Sequence, residues 1–266
     1  MSFLRRLREP EPAIGTWITI PSPFIVEVIG SRGFDFVILD MQHGLLASAD
    51  LPLLLEGASA GGIPALVRVP GLEPATIMRA IDMGAAGVVV PMVNDASEAR
   101  LAAAACRYPP EGFRSWGPTR VALGHADYQP GSESVQAACI VMIETAAGVS
   151  NVNSIANEAG VDGILIGPND LAITHGMTPD PDSWDDRHAT LVREIVGAAA
   201  EASIATGISC GDAQSAESFV RSRFDFVTVS SDAGFVAAAA DGALGRLRAV
   251  HGRPHDATHA GPDHVT

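Results

Sequence analysis

The chain has 266 residues, 47% of them hydrophobic, and a net charge of −14 from 17 basic and 31 acidic side chains. That length suits one barrel-sized domain, and the acidic balance argues against a nucleic-acid partner, because like charge repels a phosphate backbone. All 17 basic residues are arginine, so chemistry built on a lysine Schiff base, on pyridoxal phosphate or on a P-loop lysine is excluded as usually constructed.

Residues 1–12 carry basic side chains with no apolar run behind them, which does not read as a signal peptide. No uninterrupted apolar stretch is long enough to span a bilayer, so no membrane association is expected. Cys106, Cys139 and Cys210 are few and widely spaced. They argue against a disulfide framework or a zinc site and fit buried thiols in a cytoplasmic protein.

Taken in chain order, short apolar and β-branched runs at residues 14–20, 34–41, 64–69, 87–93, 139–144, 163–166, 204–209 and 224–229 read as eight strands. Most are continuous apolar runs, as strands covered on both faces should be. Helical patterns lie between them, among others at residues 74–83, 97–107, 149–159 and 213–221. Such alternation implies parallel strands with right-handed crossovers. Eight strands in this length predict an α/β fold of the (β/α)8 TIM barrel type, a single domain over residues 1–250. No G-x-G-x-x-G follows the first strand, which counts against a dinucleotide-binding sheet. Two segments break the rhythm. Residues 108–136 form a long Gly- and Pro-containing insert, a length that usually signals function. Residues 251–266 carry His251, His255, His259 and His264 among Gly, Pro and Asp; a disordered tail is expected there rather than a metal site.

Catalytic groups of such barrels sit where the strands end. The second strand ends in Asp40-Met41-Gln42-His43, the third at Arg68, the fifth at Glu144, and the sixth runs into Gly167-Pro168-Asn169-Asp170; Ser230-Ser231-Asp232 follow the eighth. Glu144 and Asp170 terminate consecutive strands, which lie about 4.8 Å apart, so both carboxylates can converge on one cation. Two carboxylates with no neighbouring Cys or His favour a hard ion, Mg2+ or Mn2+. Each has a purely architectural alternative: an ion pair with a barrel arginine for Glu144, an N-cap for Asp170. Arg68 lies in an apolar frame and needs an anionic partner, either Asp40 or Glu144, or else a substrate carboxylate or enolate oxygen. His43 is open between a surface position and a proton-transfer role beside Asp40. His125, His175 and His188 are assigned no role, and Cys210 is read as a bystander.

The ordered set D-x-x-H at Asp40–His43, R-V-P from Arg68 to Pro70, V-P-M from Val90 to Met92, Y-P-P-x-G-x-R from Tyr108 to Arg114, Glu144, and G-P-x-D-L from Gly167 to Leu171 resembles the HpcH/HpaI aldolase family. The likeness covers roughly residues 14–250 and is nearest the class II 4-hydroxy-2-oxo acid and 2-dehydro-3-deoxyglucarate aldolases. It implies Glu144 and Asp170 as ligands of Mg2+ or Mn2+, with Co2+ a further candidate. It implies Arg68 as the partner of the 2-oxo acid and its enolate, and His43 as the proton-transfer residue at the C4 hydroxyl, through water. Asp40 would orient the site, Asp82 would approach the histidine of a neighbouring subunit, and the backbone of Gly167, Pro168 and Asn169 would line the carboxylate pocket. The family forms hexamers, so a homo-oligomer is implied.

Two departures stand out: Gln42 where the family usually has a carboxylate, and Arg114-Ser115-Trp116-Gly117-Pro118, a pattern similar to macrophomate synthase, a relative that decarboxylates oxaloacetate. The expectation is therefore a metal-dependent lyase that cleaves a 4-hydroxy-2-oxo acid to pyruvate and an aldehyde. Oxaloacetate decarboxylation is the alternative within enolate chemistry, and a non-catalytic binding barrel the alternative outside it. Specificity is expected in the 108–136 insert and in loops of a neighbouring subunit.

Overall fold

The computed structural model describes residues 3–124, 128–132, 136–179, 186–222 and 224–251. Eight parallel strands close in sequence order into one barrel: β1 (Ala13–Ile18), β2 (Phe36–Asp40), β3 (Ala65–Arg68), β4 (Gly87–Val90), β5 (Ala138–Ile143), β6 (Gly163–Ile166), β7 (Ala205–Cys210) and β8 (Phe226–Ser231). All eight expected strands are present, with no end more than three residues from its expected place. The expected TIM barrel is the observed fold.

Alternation along the strands sorts side chains into two layers. Trp17, Phe36, Ile38, Leu66, Val89, Ile140, Met142, Leu165 and Phe226 fill the interior. The amino-terminal helix α1 (Phe3–Arg6), absent from the sequence reading, plugs the end where the strands begin: Phe3 packs on Phe36 at 4.9 Å and on Phe226 at 6.0 Å between ring centroids. Glycine makes room for those rings, since a Cβ on Gly15 would lie 2.4 Å from Phe36 and one on Gly207 2.1 Å from Phe226. The outward layer, including Val37, Leu39, Val67, Val88, Val141 and Ile164, packs under the helices.

The helical shell comprises α2 (Pro23–Gly30), α3 (Leu51–Ala60), α4 (Pro74–Asp82), α5 (Ala96–Cys106), α6 (Ala146–Ser150), α7 (Val152–Ala156), α8 (Pro168–Thr174), α9 (Asp186–Ala202), α10 (Ala213–Arg221) and α11 (Asp232–His251). The single helix expected at 149–159 is two short ones. Thr145 caps the first through its side chain, and the chain bends at Asn151, whose amide is turned to the carbonyl of Asn94 at 2.8 Å. No described helix is long and apolar enough to cross a membrane. His251 belongs to α11; His255, His259 and His264 lie outside the described residues, as does His125.

The insert after α5 lies where strands begin, not where they end. Arg114 pairs with Asp82 at 2.6 Å, Arg120 donates to the carbonyl of Met83 at 3.0 Å, and Arg107 reaches the carbonyl of Ala137 at 2.8 Å. These partners close α4 or precede β5. Within one chain the described part of the insert therefore sits at the opposite mouth from Glu144. The described residues of the insert lie away from this chain's own strand ends, because α5 has already returned the backbone to the far end of the barrel.

Candidate active site

At the carboxyl ends of the strands, register places the polar groups. Asp40 and Arg68 are cross-strand neighbours on β2 and β3. Their side chains form a two-bond pair, Nε to Oδ1 at 2.8 Å and Nη2 to Oδ2 at 2.6 Å, and both are buried. Of the two side chains open to Arg68, Asp40 and Glu144, the structure pairs it with Asp40. Such fork geometry fits a planar guanidinium to a carboxylate. Burial pushes the Asp40 carboxyl up, but the hydrogen bonds and charge of Arg68, with the amide N–H groups of His43 and Gln42, outweigh it and hold Asp40 below the usual carboxylate range.

The guanidinium also stacks on Trp17, with Cζ 4.3 Å from the ring centroid. The indole is itself anchored, donating from Nε1 to Thr228 Oγ1 at 2.9 Å and to Ser209 Oγ at 3.1 Å. Trp17 was missed as a site residue. The signal was the alternation in β1, which points Trp17 inward with Gly15. The remaining guanidinium edge, Nη1, meets the Met142 sulfur at 4.0 Å.

Glu144 and Asp170 follow the ends of the adjacent strands β5 and β6. Ile143 and Ile166 are register partners, so Glu144 and Gly167 leave the barrel side by side. Glu144 is buried, and its Oε1 accepts the backbone N–H of Met92 at 2.8 Å. A Cβ on residue 167 would lie 2.4 Å from Oε2, so glycine is what lets the carboxylate sit there. Neither architectural alternative holds. Among the described residues Glu144 forms no ion pair with an arginine; Arg68 is paired with Asp40 instead. Asp170 is not an N-cap, since α8 starts at Pro168 with Gly167 as cap, and Asp170 stands half-buried in its first turn. Burial, reinforced by the charge of Asp170, pushes the Glu144 carboxyl up to about 7, against the Met92 N–H and the charge of Arg68.

This pair fits a divalent cation. One carboxylate is desolvated and repelled by its neighbour, and both donors are hard oxygens. No group of three or more His, Cys, Asp or Glu side chains is placed to hold a metal ion among the described residues; a cation here would find the two carboxylates and take its other oxygens from water or substrate.

The other expected residues divide. His43 is exposed in the loop after β2, and its contact with Asp40 runs through its backbone N–H to Oδ1 at 3.1 Å. Asp40 thus fixes the loop rather than pairing with the imidazole. Beside it, Oε1 of Gln42 is buried without a hydrogen-bond partner. Gly167, Pro168 and Asn169 form the cap and first turn of α8, next to Glu144. Asp82 ends α4 at the opposite mouth, paired with the buried Arg114. It is not part of this chain's own site. Cys210 is buried, and burial pushes its thiol up to about 12, which fits a bystander. His175 caps α8 and His188 is buried in α9. Asp232 was read only as a strand-end polar residue. It accepts from Thr19 N and Oγ1 at 2.8 and 2.7 Å and from Ile20 N at 3.0 Å, sealing β8 to the loop after β1.

Barrel and site together define a TIM barrel with an acidic pair, its glutamate buried, and a pre-oriented arginine at the carboxyl ends of its strands. Comparison with known proteins agrees. The HpcH/HpaI aldolase/citrate lyase family matches residues 13–239. A hydroxypyruvate/pyruvate aldolase of Rhizorhabdus wittichii is 32% identical over 242 residues, covering 91% of this chain and 96% of that protein. The crystal structure of a family protein from Burkholderia cenocepacia J2315 superposes with a TM-score of 0.85 at 31% identity, covering 92% of this chain and 98% of the other. Macrophomate synthase superposes with a TM-score of 0.81 at 25% identity, over 94% and 90%. The chain belongs to the HpcH/HpaI aldolase/citrate lyase family, and it is an enzyme of the lyase class. The non-catalytic reading is thereby set aside.

Proposed function

We propose that the chain is a divalent-metal-dependent class II pyruvate aldolase, reversibly cleaving a 4-hydroxy-2-oxo acid to pyruvate and an aldehyde. The observation that carries this reading is the buried Glu144 after β5, beside the start of α8 that bears Asp170, at the same end of the barrel as the Asp40–Arg68 pair. A cation held by Glu144 and Asp170 (Mg2+ or Mn2+, with Co2+ a further candidate) would supply positive charge to the 2-oxo and carboxylate oxygens of the substrate.

The chain's own residues do the rest. Arg68, clamped by Asp40 and stacked on Trp17, presents Nη1 to the C2 oxygen, where negative charge grows as the C3–C4 bond breaks. His43, through a water, takes the proton of the C4 hydroxyl, and the aldehyde leaves. The enolate carbon C3 then takes up a proton to give pyruvate. The backbone of Gly167, Pro168 and Asn169 lines the pocket for the carboxylate, at a helix start whose first N–H groups have no helical acceptor. Asp82 acts at the site of a neighbouring copy in a homo-oligomer, a hexamer as the family resemblance implies. Its position at the far mouth supports this, as do the exposed Val236, Leu244 and Leu247 on α11. Three free, buried cysteines fit a cytoplasmic setting.

A coupled pyruvate assay over a panel of 4-hydroxy-2-oxo acids tests the reading, with Mg2+, Mn2+ or Co2+ and then with EDTA. Turnover that survives EDTA, or full activity in Glu144→Ala, sinks the mechanism. The second reading, oxaloacetate decarboxylation through the same enolate, is favoured by the Arg114–Pro118 pattern and by the likeness to macrophomate synthase. Comparing CO2 release from oxaloacetate with aldol cleavage decides between the two.

A further inference from the structure

We propose that Asn94 is a positioning residue for the Glu144 carboxylate, acting through a left-handed backbone turn at Met92. The proposal rests on the reading above that Glu144 holds a divalent cation. Beyond β4 the chain runs Pro91-Met92-Val93-Asn94, and Met92 has φ of 56°. That region is disfavoured for any residue with a Cβ and persists only where the surroundings impose it. What the turn achieves is visible: it directs the Met92 N–H to Oε1 of Glu144 at 2.8 Å. With Oε1 so engaged and the group packed against Gly167, the carboxylate is held from two sides, leaving Oε2 as its open donor.

Asn94 supplies the imposing contacts. Its Nδ2 donates to the carbonyl of Met92 at 2.6 Å and to Oε2 of Glu98 at 3.3 Å. Its Oδ1 accepts the hydroxyl of Thr145 at 2.6 Å. Thr145 follows Glu144 directly and also caps α6, accepting the N–H of Gly148 at 2.9 Å. One side-chain amide therefore ties the residue that donates to the carboxylate to the residue that follows the carboxylate. The backbone of Asn94 is itself pinned, its N–H to Glu98 at 2.7 Å and its carbonyl by Asn151 at 2.8 Å. The chemistry calls for an amide. It needs a donor toward one carbonyl and one carboxylate and an acceptor toward a hydroxyl, which Asn offers and Asp does not.

The test is Mn2+ affinity by calorimetry on the full chain, with melting temperature as a second readout. Asn94→Ala and the isosteric Asn94→Asp are each expected to weaken Mn2+ about tenfold, the scale of one hydrogen bond to a charged group. Adding Met92→Gly to Asn94→Ala keeps the N–H and removes the Cβ penalty of the turn. It should restore Mn2+ affinity to within about threefold of the unaltered chain. A merely structural asparagine would lower the melting temperature without that rescue. Asn94→Asp covers the case in which Asn94→Ala does not fold. If the unaltered chain fails to bind Mn2+, the metal reading falls and this proposal with it. If the unaltered chain binds and both Asn94 variants bind equally well, or Met92→Gly does not rescue, the positioning proposal alone is overturned.

Discussion

Gly167 and Glu144 stand against each other at adjacent strand ends, so close that a single Cβ on residue 167 would come within 2.4 Å of the carboxylate oxygen Oε2. Gly167 has φ −95° and ψ 92°, which alanine also adopts, so the requirement for glycine is one of space. Gly167→Ala should displace the Glu144 carboxylate while the barrel still forms. A misplacement of that size is expected to cost about 100-fold in kcat/KM, with Mn2+ affinity falling in parallel. Mn2+ titration beside steady-state rates and a thermal melt checks it; unchanged affinity would show that Oε2 is not a donor.

The pH dependence of stability follows from Glu144. Its carboxyl sits at about 7 in the fold against an ordinary value of 4.5. Between those values the native state keeps a proton that the unfolded chain has released. Metal-free stability should therefore fall as pH rises from 4.5 to 7 and level off above, by on the order of 3 kcal/mol from this group. Urea denaturation across that range with EDTA present measures it, and Glu144→Gln should flatten this component. Mn2+ affinity should move the other way, rising through pH 7 as the cation stops competing with the proton.

The pair Asp40–Arg68 should behave as a buried ion pair. Asp40→Ala leaves a guanidinium at 6% exposure without its counter-ion, a change expected to cost about 3–5 kcal/mol. The pair Arg100–Glu158 is a built-in control, with the arginine side chain 67% exposed. Arg100→Ala should change stability by less than about 1 kcal/mol. Denaturant melts of both variants decide whether the asymmetry is real.

His43 is exposed, with its ring in no hydrogen bond to another described residue. His43→Asn should leave the melting temperature within the range of a neutral surface change. It should lower kcat for aldol cleavage by about 100- to 10,000-fold, the usual range for a lost general base. A stability loss with kcat intact would assign the histidine to architecture instead.

Much of this was legible from the residues. Eight apolar runs spaced by helical patterns specify the barrel, because parallel strands covered on both faces need continuous apolar sequence. Polar residues at or just after those runs, Arg68, Glu144 and Asp170, point to the carboxyl ends of the strands, and the missing lysine removes imine chemistry on sequence alone. Tertiary structure alone decided that Arg68 pairs with Asp40 and stacks on Trp17, that Met92 turns left-handed to donate to Glu144, and that Asp82 and the described part of the insert face the far end of the barrel. The physical reason is common to all three. Periodicity reports which face of an element is buried, whereas strand register, the sign of one φ angle and the end of a barrel to which a loop returns are set by contacts between residues far apart in the chain.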